Sequence, residues 1–193
     1  MITASEKKEF RKLYLLRREQ VAQRHPEYQE RLNAAIFDWL KKEKITSIGF
    51  YWPFRAEPDI SSAIRAWLGA DAVRRASLPV IEDKIRGTMH YAVWKPESVM
   101  RVGAFGIAIP QDDVRVVPEI LFLPCIAFSR KGVRLGSGAG FFDRYLAYRN
   151  RDAIPPVTVA VSFESLQCNE LAAEPHDILF DWIATEAGVR RVG

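Results

Sequence analysis

The 193-residue sequence predicts a single three-layer α/β/α domain with a mostly parallel central sheet, and three observations lead there. Short apolar or β-branched runs alternate with segments whose apolar residues recur every three or four positions, the order of elements that builds βαβ units. Two of those runs, Ile120–Leu123 and Val157–Val161, are continuously apolar or β-branched rather than alternating, as central strands covered on both faces require. Composition is that of an ordinary globular chain, 48% hydrophobic and 27% charged. At this length roughly 70% of the unfolded surface can be buried on folding, so no metal or disulfide is needed to hold the core.

From Ser5 to Arg24, the residues Phe10, Leu13, Leu15, Leu16 and Val21 recur near helical spacing among lysines and arginines, with Ser5 offering an N-cap. A second amphipathic helix follows Pro26, where Tyr28, Leu32, Ala35, Ile36, Trp39 and Leu40 share one face. It ends near Lys41–Lys44, whose cations suit a helix C-terminus. Ser47–Trp52 reads as a buried strand stopped by Pro53, and Pro53–Asp59 as a polar loop. Ile60–Leu68 reads as a helix, and Ala76–Ile81 and Met89–Trp94 as strands. Lys95–Gln111 is predicted as a long loop, and the whole non-periodic stretch Lys95–Pro118 as an active-site loop rather than a linker. After the strand Ile120–Leu123, Gly136–Gly140 has the shape of a glycine-rich loop opening a helix over Phe141–Tyr148. No repeat or composition break interrupts residues 1–193, so one domain is expected.

Charge and cysteine usage exclude several classes of function. The net charge of +4, from 28 basic and 24 acidic residues, lacks the dense basic stripe and exposed aromatics of a nucleic-acid binder, so no nucleic-acid partner is expected. No run of about 18 apolar residues could span a bilayer. The charged N-terminal stretch has no apolar signal core, which together predicts a cytoplasmic protein without a membrane partner. No long apolar stripe is evident, and a monomer is expected. Cys125 and Cys168 form no Cys-x-x-Cys pair and lie far in sequence from His25, His90 and His176, so they read as free, buried thiols rather than zinc ligands.

The strongest local feature is Arg134-Leu135-Gly136-Ser137-Gly138-Ala139-Gly140-Phe141-Phe142-Asp143-Arg144. Alternate glycines let the backbone approach an anion, and the N–H groups opening the next helix point at it. Neither common nucleotide fingerprint applies, because no Lys-Ser/Thr follows the glycines and Phe141 occupies the sixth position of a Gly-x-Gly-x-x-Gly. A tight strand-to-helix turn without a ligand is the alternative. The flanking Lys131, Arg134 and Arg144 supply cations for phosphate oxygens, and Asp143 a carboxylate for Mg²⁺.

These residues resemble the 5-formyltetrahydrofolate cyclo-ligase family over nearly the whole chain. Its members carry a Pro-Gly-(Leu/Val)-Ala-Phe-Asp segment, a few residues, and then Arg-Leu-Gly-x-Gly-x-Gly-(Tyr/Phe)-(Tyr/Phe)-Asp-Arg. Pro124–Ser129 and Arg134–Arg144 match in order and spacing. Weaker matches follow the same chain order: Lys7 and Arg11; Tyr51, Pro53 and Glu57; His176, Asp177, Asp181 and Thr185.

The resemblance implies an ATP- and Mg²⁺-dependent cyclisation of 5-formyltetrahydrofolate to 5,10-methenyltetrahydrofolate, in which the formyl oxygen is phosphorylated and ADP and phosphate are released. Lys7, Arg11, Arg134, Gly136, Ser137, Gly138, Ala139, Gly140, Phe141, Phe142, Asp143 and Arg144 would bind ATP. Arg134 and Asp143 would be catalytic, and Asp143 would also be the magnesium ligand. Glu57 would accept hydrogen bonds from the aminopyrimidine edge of the folate, and Trp52 would stack on its ring system. Each has a plainer alternative: a solvated basic helix face for Lys7 and Arg11, capping or pairing with Arg144 for Asp143, a loop glutamate in water for Glu57, and core packing for Trp52.

Three departures stand out against the family pattern. Ile109 occupies an acidic position, Phe141 and Phe142 replace two tyrosines, and Ser129 stands where aspartate is usual. All remove polar groups, which motivates a second hypothesis of a non-catalytic nucleotide- or folate-binding homologue.

Overall fold

The computed structural model describes residues 4–173 and 177–193. It opens with α1 (Ala4–Arg24) and α2 (Glu27–Leu40), followed by β1 (Ser47–Gly49), α3 (Ser61–Gly69) and the antiparallel pair β2 (Arg75–Asp83) and β3 (Thr88–Trp94). Then come β4 (Met100–Val102), β5 (Ala108–Pro110), β6 (Arg115–Val116), β7 (Ile120–Pro124), β8 (Ala127–Phe128) and β9 (Arg134–Leu135). The chain ends with α4 (Phe141–Arg149), β10 (Val157–Val161), β11 (Trp182–Thr185) and β12 (Gly188–Arg191). Among the described residues, no helix is long and apolar enough to cross a membrane.

Eight strands form one sheet in the order β12-β11-β10-β7-β1-β2-β3-β6. The five from β11 to β2 are parallel to one another, while β12, β3 and β6 join antiparallel at the margins. This is the mostly parallel α/β sheet that the sequence predicts. The continuous apolar run in β7 explains its central place, because successive side chains point to opposite faces. Ile120 and Phe122 pack with Leu32, Ile36 and Leu40 of α2 and Ile64 and Trp67 of α3. Leu121 and Leu123 pack on the other face with Met89, Tyr91 and Leu146 of α4. Each such fully buried aliphatic side chain contributes about 1.5–3 kcal/mol, so the two layers of helix are held by alternate residues of the same strand.

Several local expectations need correction. Ser5, expected at the N-cap, falls within α1, which already includes Ala4. β1 ends at Gly49, three residues before Trp52, because Tyr51 turns its hydroxyl to donate to the Pro58 carbonyl at 2.7 Å and draws the chain into the loop. The predicted long loop Lys95–Gln111 contains the hairpin of β4 and β5, paired from Met100↔Pro110 to Val102↔Ala108. Its residues lack strand periodicity because just Ile109 and Pro110 of the paired residues are buried, Ile109 beside Val80 and Ala92 of the main sheet. β8, β9, β11 and β12 were not anticipated; all are two to four residues long, too short to show a period.

This topology fixes where a ligand can enter. From β1 the chain passes through α3 to β2 on one side, and from β7 through α4 to β10 on the other. The connections leaving the carboxyl ends of adjacent β1 and β7 therefore diverge, and open α/β sheets bind ligands in the crevice such a reversal creates.

Candidate active site

The loop 50–59 leaves β1, and the segment from Cys125 through the glycine-rich loop leaves β7. Between them and α1 lies a cavity of about 390 Å³, within the range of small-molecule sites. Lys7, Arg11, Arg18, Arg134 and Arg144 line it, as do the carboxylates of Glu57, Asp143 and Asp177. Cations outnumber carboxylates among these described lining residues, which suits a polyanionic ligand.

The glycine-rich loop forms one wall. Gly138 and Gly140 have φ of +97° and +67°, a backbone region that other L residues avoid. Gly140 precedes the first turn of α4, no side chain caps that turn, and Asp143 stands within it. The opening N–H groups of α4 thus face the same space as the cations, which is the arrangement that binds phosphate. The Nε of Arg11 donates to the Gly136 carbonyl at 3.1 Å, so α1 also braces the start of the loop.

Arg134 donates from Nη2 to Asp143 Oδ1 at 2.5 Å; its side chain is 5% exposed and that of Asp143 26%. Asp143 is therefore paired with Arg134, not with Arg144. Arg144 donates from Nη2 to the Ala139 carbonyl at 2.5 Å and from Nε to the Gly87 carbonyl at 3.1 Å, tying the loop to the β2–β3 turn. Lys7 lies 3.6 Å from Asp177, which joins the two ends of the chain at the cavity.

On the opposite wall, Glu57 Oε2 accepts from the Phe54 amide at 3.0 Å, and Oε1 lies 3.8 Å from Nη1 of Arg18. Burial raises the pKa of Glu57, opposed by the Arg18 charge and the Phe54 amide. Cys125, also lining the cavity, has its thiol pushed up to about 11 by burial, which makes it a poor nucleophile.

Of the residues expected in the site, the structure brings together Lys7, Arg11, Glu57, Arg134 and the segment Gly136–Arg144. Trp52 is not among the lining residues. Its ring stands edge-on to Trp94 with centroids 6.4 Å apart, because β1 ends early and turns it back onto the core. His176 lies outside the described residues. Asp181 and Thr185 serve the fold: Asp181 accepts from the Thr158 amide and hydroxyl, and the Thr185 hydroxyl donates to Glu164.

The departures from the family pattern also find places. Ile109 is buried, Ser129 accepts from the Val133 amide in a tight turn, and Phe141 and Phe142 line the cavity. Arg18 was missed as a site residue. Its signal was present, since it follows Arg11 by seven residues and Lys7 by eleven, which keeps all three on one helical face.

Among the described residues, no three His, Cys, Asp or Glu side chains cluster to hold a metal ion. Mg²⁺ commonly takes only one or two protein carboxylates together with substrate phosphates. Asp143 lines the cavity from the first turn of α4.

Comparison with known proteins agrees with this geometry. Residues 3–186 match the model of the 5-formyltetrahydrofolate cyclo-ligase family. The chain is 31% identical to the 5-formyltetrahydrofolate cyclo-ligase of Haemophilus influenzae over 150 residues, covering 74% of this chain and 77% of that protein. It is 27% identical to the Mycolicibacterium smegmatis protein of the same name over 162 residues, covering 78% and 80%. The solved structure of Aquifex aeolicus 5,10-methenyltetrahydrofolate synthetase superposes with a TM-score of 0.76 at 27% identity, covering 96% of this chain and 92% of that one. The Mycoplasma pneumoniae 5,10-methenyltetrahydrofolate synthetase shares the fold, with a TM-score of 0.75 at 18% identity over 94% and 99%. The chain thus belongs to the 5-formyltetrahydrofolate cyclo-ligase family, a family of ligases.

Proposed function

We propose that the protein cyclises 5-formyltetrahydrofolate to 5,10-methenyltetrahydrofolate at the expense of ATP, with Mg²⁺ as the metal. The observation that carries this reading is the meeting, in one cavity, of a cationic glycine-rich loop and the largely buried carboxylate of Glu57. The first suits a triphosphate and the second the N–H donors of a pterin.

A formyl amide oxygen is a poor leaving group, and transfer of the γ-phosphoryl group of ATP onto that oxygen converts it into a good one. ADP departs in that step; N10 then bonds to the activated carbon, the carbon–oxygen bond breaks with release of phosphate, and the N10 proton is lost. Bound Mg²⁺ would neutralise phosphate charge, held by Asp143. Phosphoryl transfer of this kind depends on positioning and charge neutralisation rather than on a protein nucleophile. Lys7, Arg11 and Arg134 supply the fixed positive charge, and the opening amides of α4 orient the oxygens. Arg144, spent on two backbone carbonyls, keeps the loop in shape. Glu57 accepts from the pyrimidine edge and sets the folate so that its formyl oxygen faces the phosphate.

The test is appearance of the methenyl chromophore from 5-formyltetrahydrofolate with purified protein, omitting ATP and Mg²⁺ in turn. Signal only with both is expected. A folded protein that binds ATP and yields no chromophore would overturn the reading in favour of a non-catalytic homologue.

A further inference from the structure

Arg18 is held in a way that stability alone does not explain. Its side chain is 2% exposed. Nη2 donates to the Arg55 carbonyl at 2.7 Å, but Nη1 reaches Glu57 only at 3.8 Å, beyond hydrogen-bond range. Nε and Nη1 are buried without a hydrogen-bond partner among the described residues. A buried, under-satisfied guanidinium costs free energy that a well-packed apolar side chain of similar volume would not.

The segment that Arg18 touches is also strained. Arg55 and Ala56 have φ of 50° and 57°, consecutive non-glycine residues in the left-handed region. Arg18 pins that turn at the Arg55 carbonyl, and the turn delivers Glu57 to the cavity.

We propose that Arg18 is a positioning residue for substrate: through its ion pair with Glu57 and its bond to the Arg55 carbonyl, it holds the Glu57 carboxylate where the N–H edge of the folate pyrimidine meets it. This rests on the folate reading given above. Helix α1 then serves both substrates from one face, phosphates through Lys7 and Arg11 and the pterin indirectly through Arg18.

The groups around Glu57 make its charge state readable. Arg18 faces it from α1, the Phe54 amide from its own loop, and Tyr51 and Cys125 lie nearby. Burial drives the Tyr51 hydroxyl well above its ordinary range and the Cys125 thiol to about 11, so both stay neutral at neutral pH. Burial raises the Glu57 pKa and Arg18 opposes that rise. Removing the Arg18 charge therefore raises it further, and the carboxylate is lost at a higher pH.

The experiment is calorimetric binding of 5-formyltetrahydrofolate across about pH 5 to 8, with ATP half-saturation and melting temperature measured alongside. Arg18→Gln is expected to weaken folate binding about tenfold near neutrality and to move its acid limb upward by about one pH unit or more. ATP half-saturation should stay within about twofold. Arg18→Lys, which keeps a charge, should return the limb toward the wild-type position, and Glu57→Gln should show no acid limb at all.

Wild-type affinity and limb in Arg18→Gln would overturn the assignment, as would an Arg18→Lys that melts normally yet is as impaired as Arg18→Gln. Where Arg18→Gln does not fold, the contrast between Arg18→Lys and Glu57→Gln decides in the same way. A wild-type protein that neither binds nor turns over the folate defeats the functional reading and this proposal together. One that turns it over while Arg18→Gln is unaffected defeats only the assignment of Arg18.

Discussion

Under the proposed function Asp143 serves both Arg134 and Mg²⁺, and two substitutions separate the two roles. Asp143→Ala removes the acceptor 2.5 Å from Arg134 Nη2, and Arg134, only 5% exposed, already has a buried Nε without a hydrogen-bond partner among the described residues. A hydrogen bond to a charged group contributes about 1.5–3 kcal/mol; because Asp143 is a quarter exposed and water can partly replace it, the lower half of that range applies, about 2 kcal/mol. For a chain of this size about 2–4 °C is lost per kcal/mol, so the melting midpoint should fall by about 4–8 °C. Asp143→Asn keeps an oxygen facing Arg134 and should cost about 1 kcal/mol or less.

Turnover should respond differently. Both variants remove the carboxylate proposed to hold Mg²⁺, so both should lose about a hundredfold or more in rate, the scale on which one preorganised charge acts. The assays are thermal melts followed by circular dichroism, and methenyl-chromophore formation titrated with Mg²⁺. Asp143→Asn turning over like wild type, with the same Mg²⁺ dependence, would remove Asp143 from the site. Asp143→Ala melting with wild type would show that Arg134 does not depend on it.

Three further outcomes follow from the geometry. Gly140→Ala places a Cβ 3.0 Å from Arg144 Nη1 at a φ of +67°, which should cost about 1–2 kcal/mol and raise ATP half-saturation; unchanged ATP kinetics would detach the loop from nucleotide binding. Trp52→Ala, which removes a partly buried ring packed on Trp94, should destabilise by about 2 kcal/mol while leaving folate half-saturation within about twofold. A large rise in folate half-saturation with normal melting would return Trp52 to the substrate site. With its thiol pushed up to about 11, Cys125 should resist 5,5′-dithiobis(2-nitrobenzoate) at about pH 8 until the protein unfolds, and its labelling in the native state would contradict its burial.

The sheet was legible where strands are long enough or apolar enough to be covered on both faces. Ile120–Leu123 and Val157–Val161 read correctly as central strands because every residue of a doubly covered strand must be apolar or small. The hairpin of β4 and β5 was not legible, since most of its side chains face away from the core and its pairing is made by backbone amides that any residue carries. Ser47–Trp52 misled for the opposite reason: Phe50 and Tyr51 are fully or almost fully buried, but they lie beyond the strand, in the turn toward the site.

For the site, the sequence made the glycine-rich loop and the helix after it legible. Glycines at alternate positions, cations beside them and a helix after them are local features, readable at short range because one loop makes them. It also determined the family, through motifs spread in order along the chain. It took the packing of distant elements to show that Arg134 takes Asp143 as its partner, that Arg144 braces the loop from behind, and that Trp52 packs on Trp94. The tertiary structure alone brought Arg18 to Glu57, 39 positions apart in sequence, against a strained turn. The physical reason is that local spacing sets which face of an element a residue occupies, whereas its partner is set by where the sheet order places the neighbouring element. Here that order reverses between β1 and β7, and the residues that meet across the reversal carry no periodicity that links them.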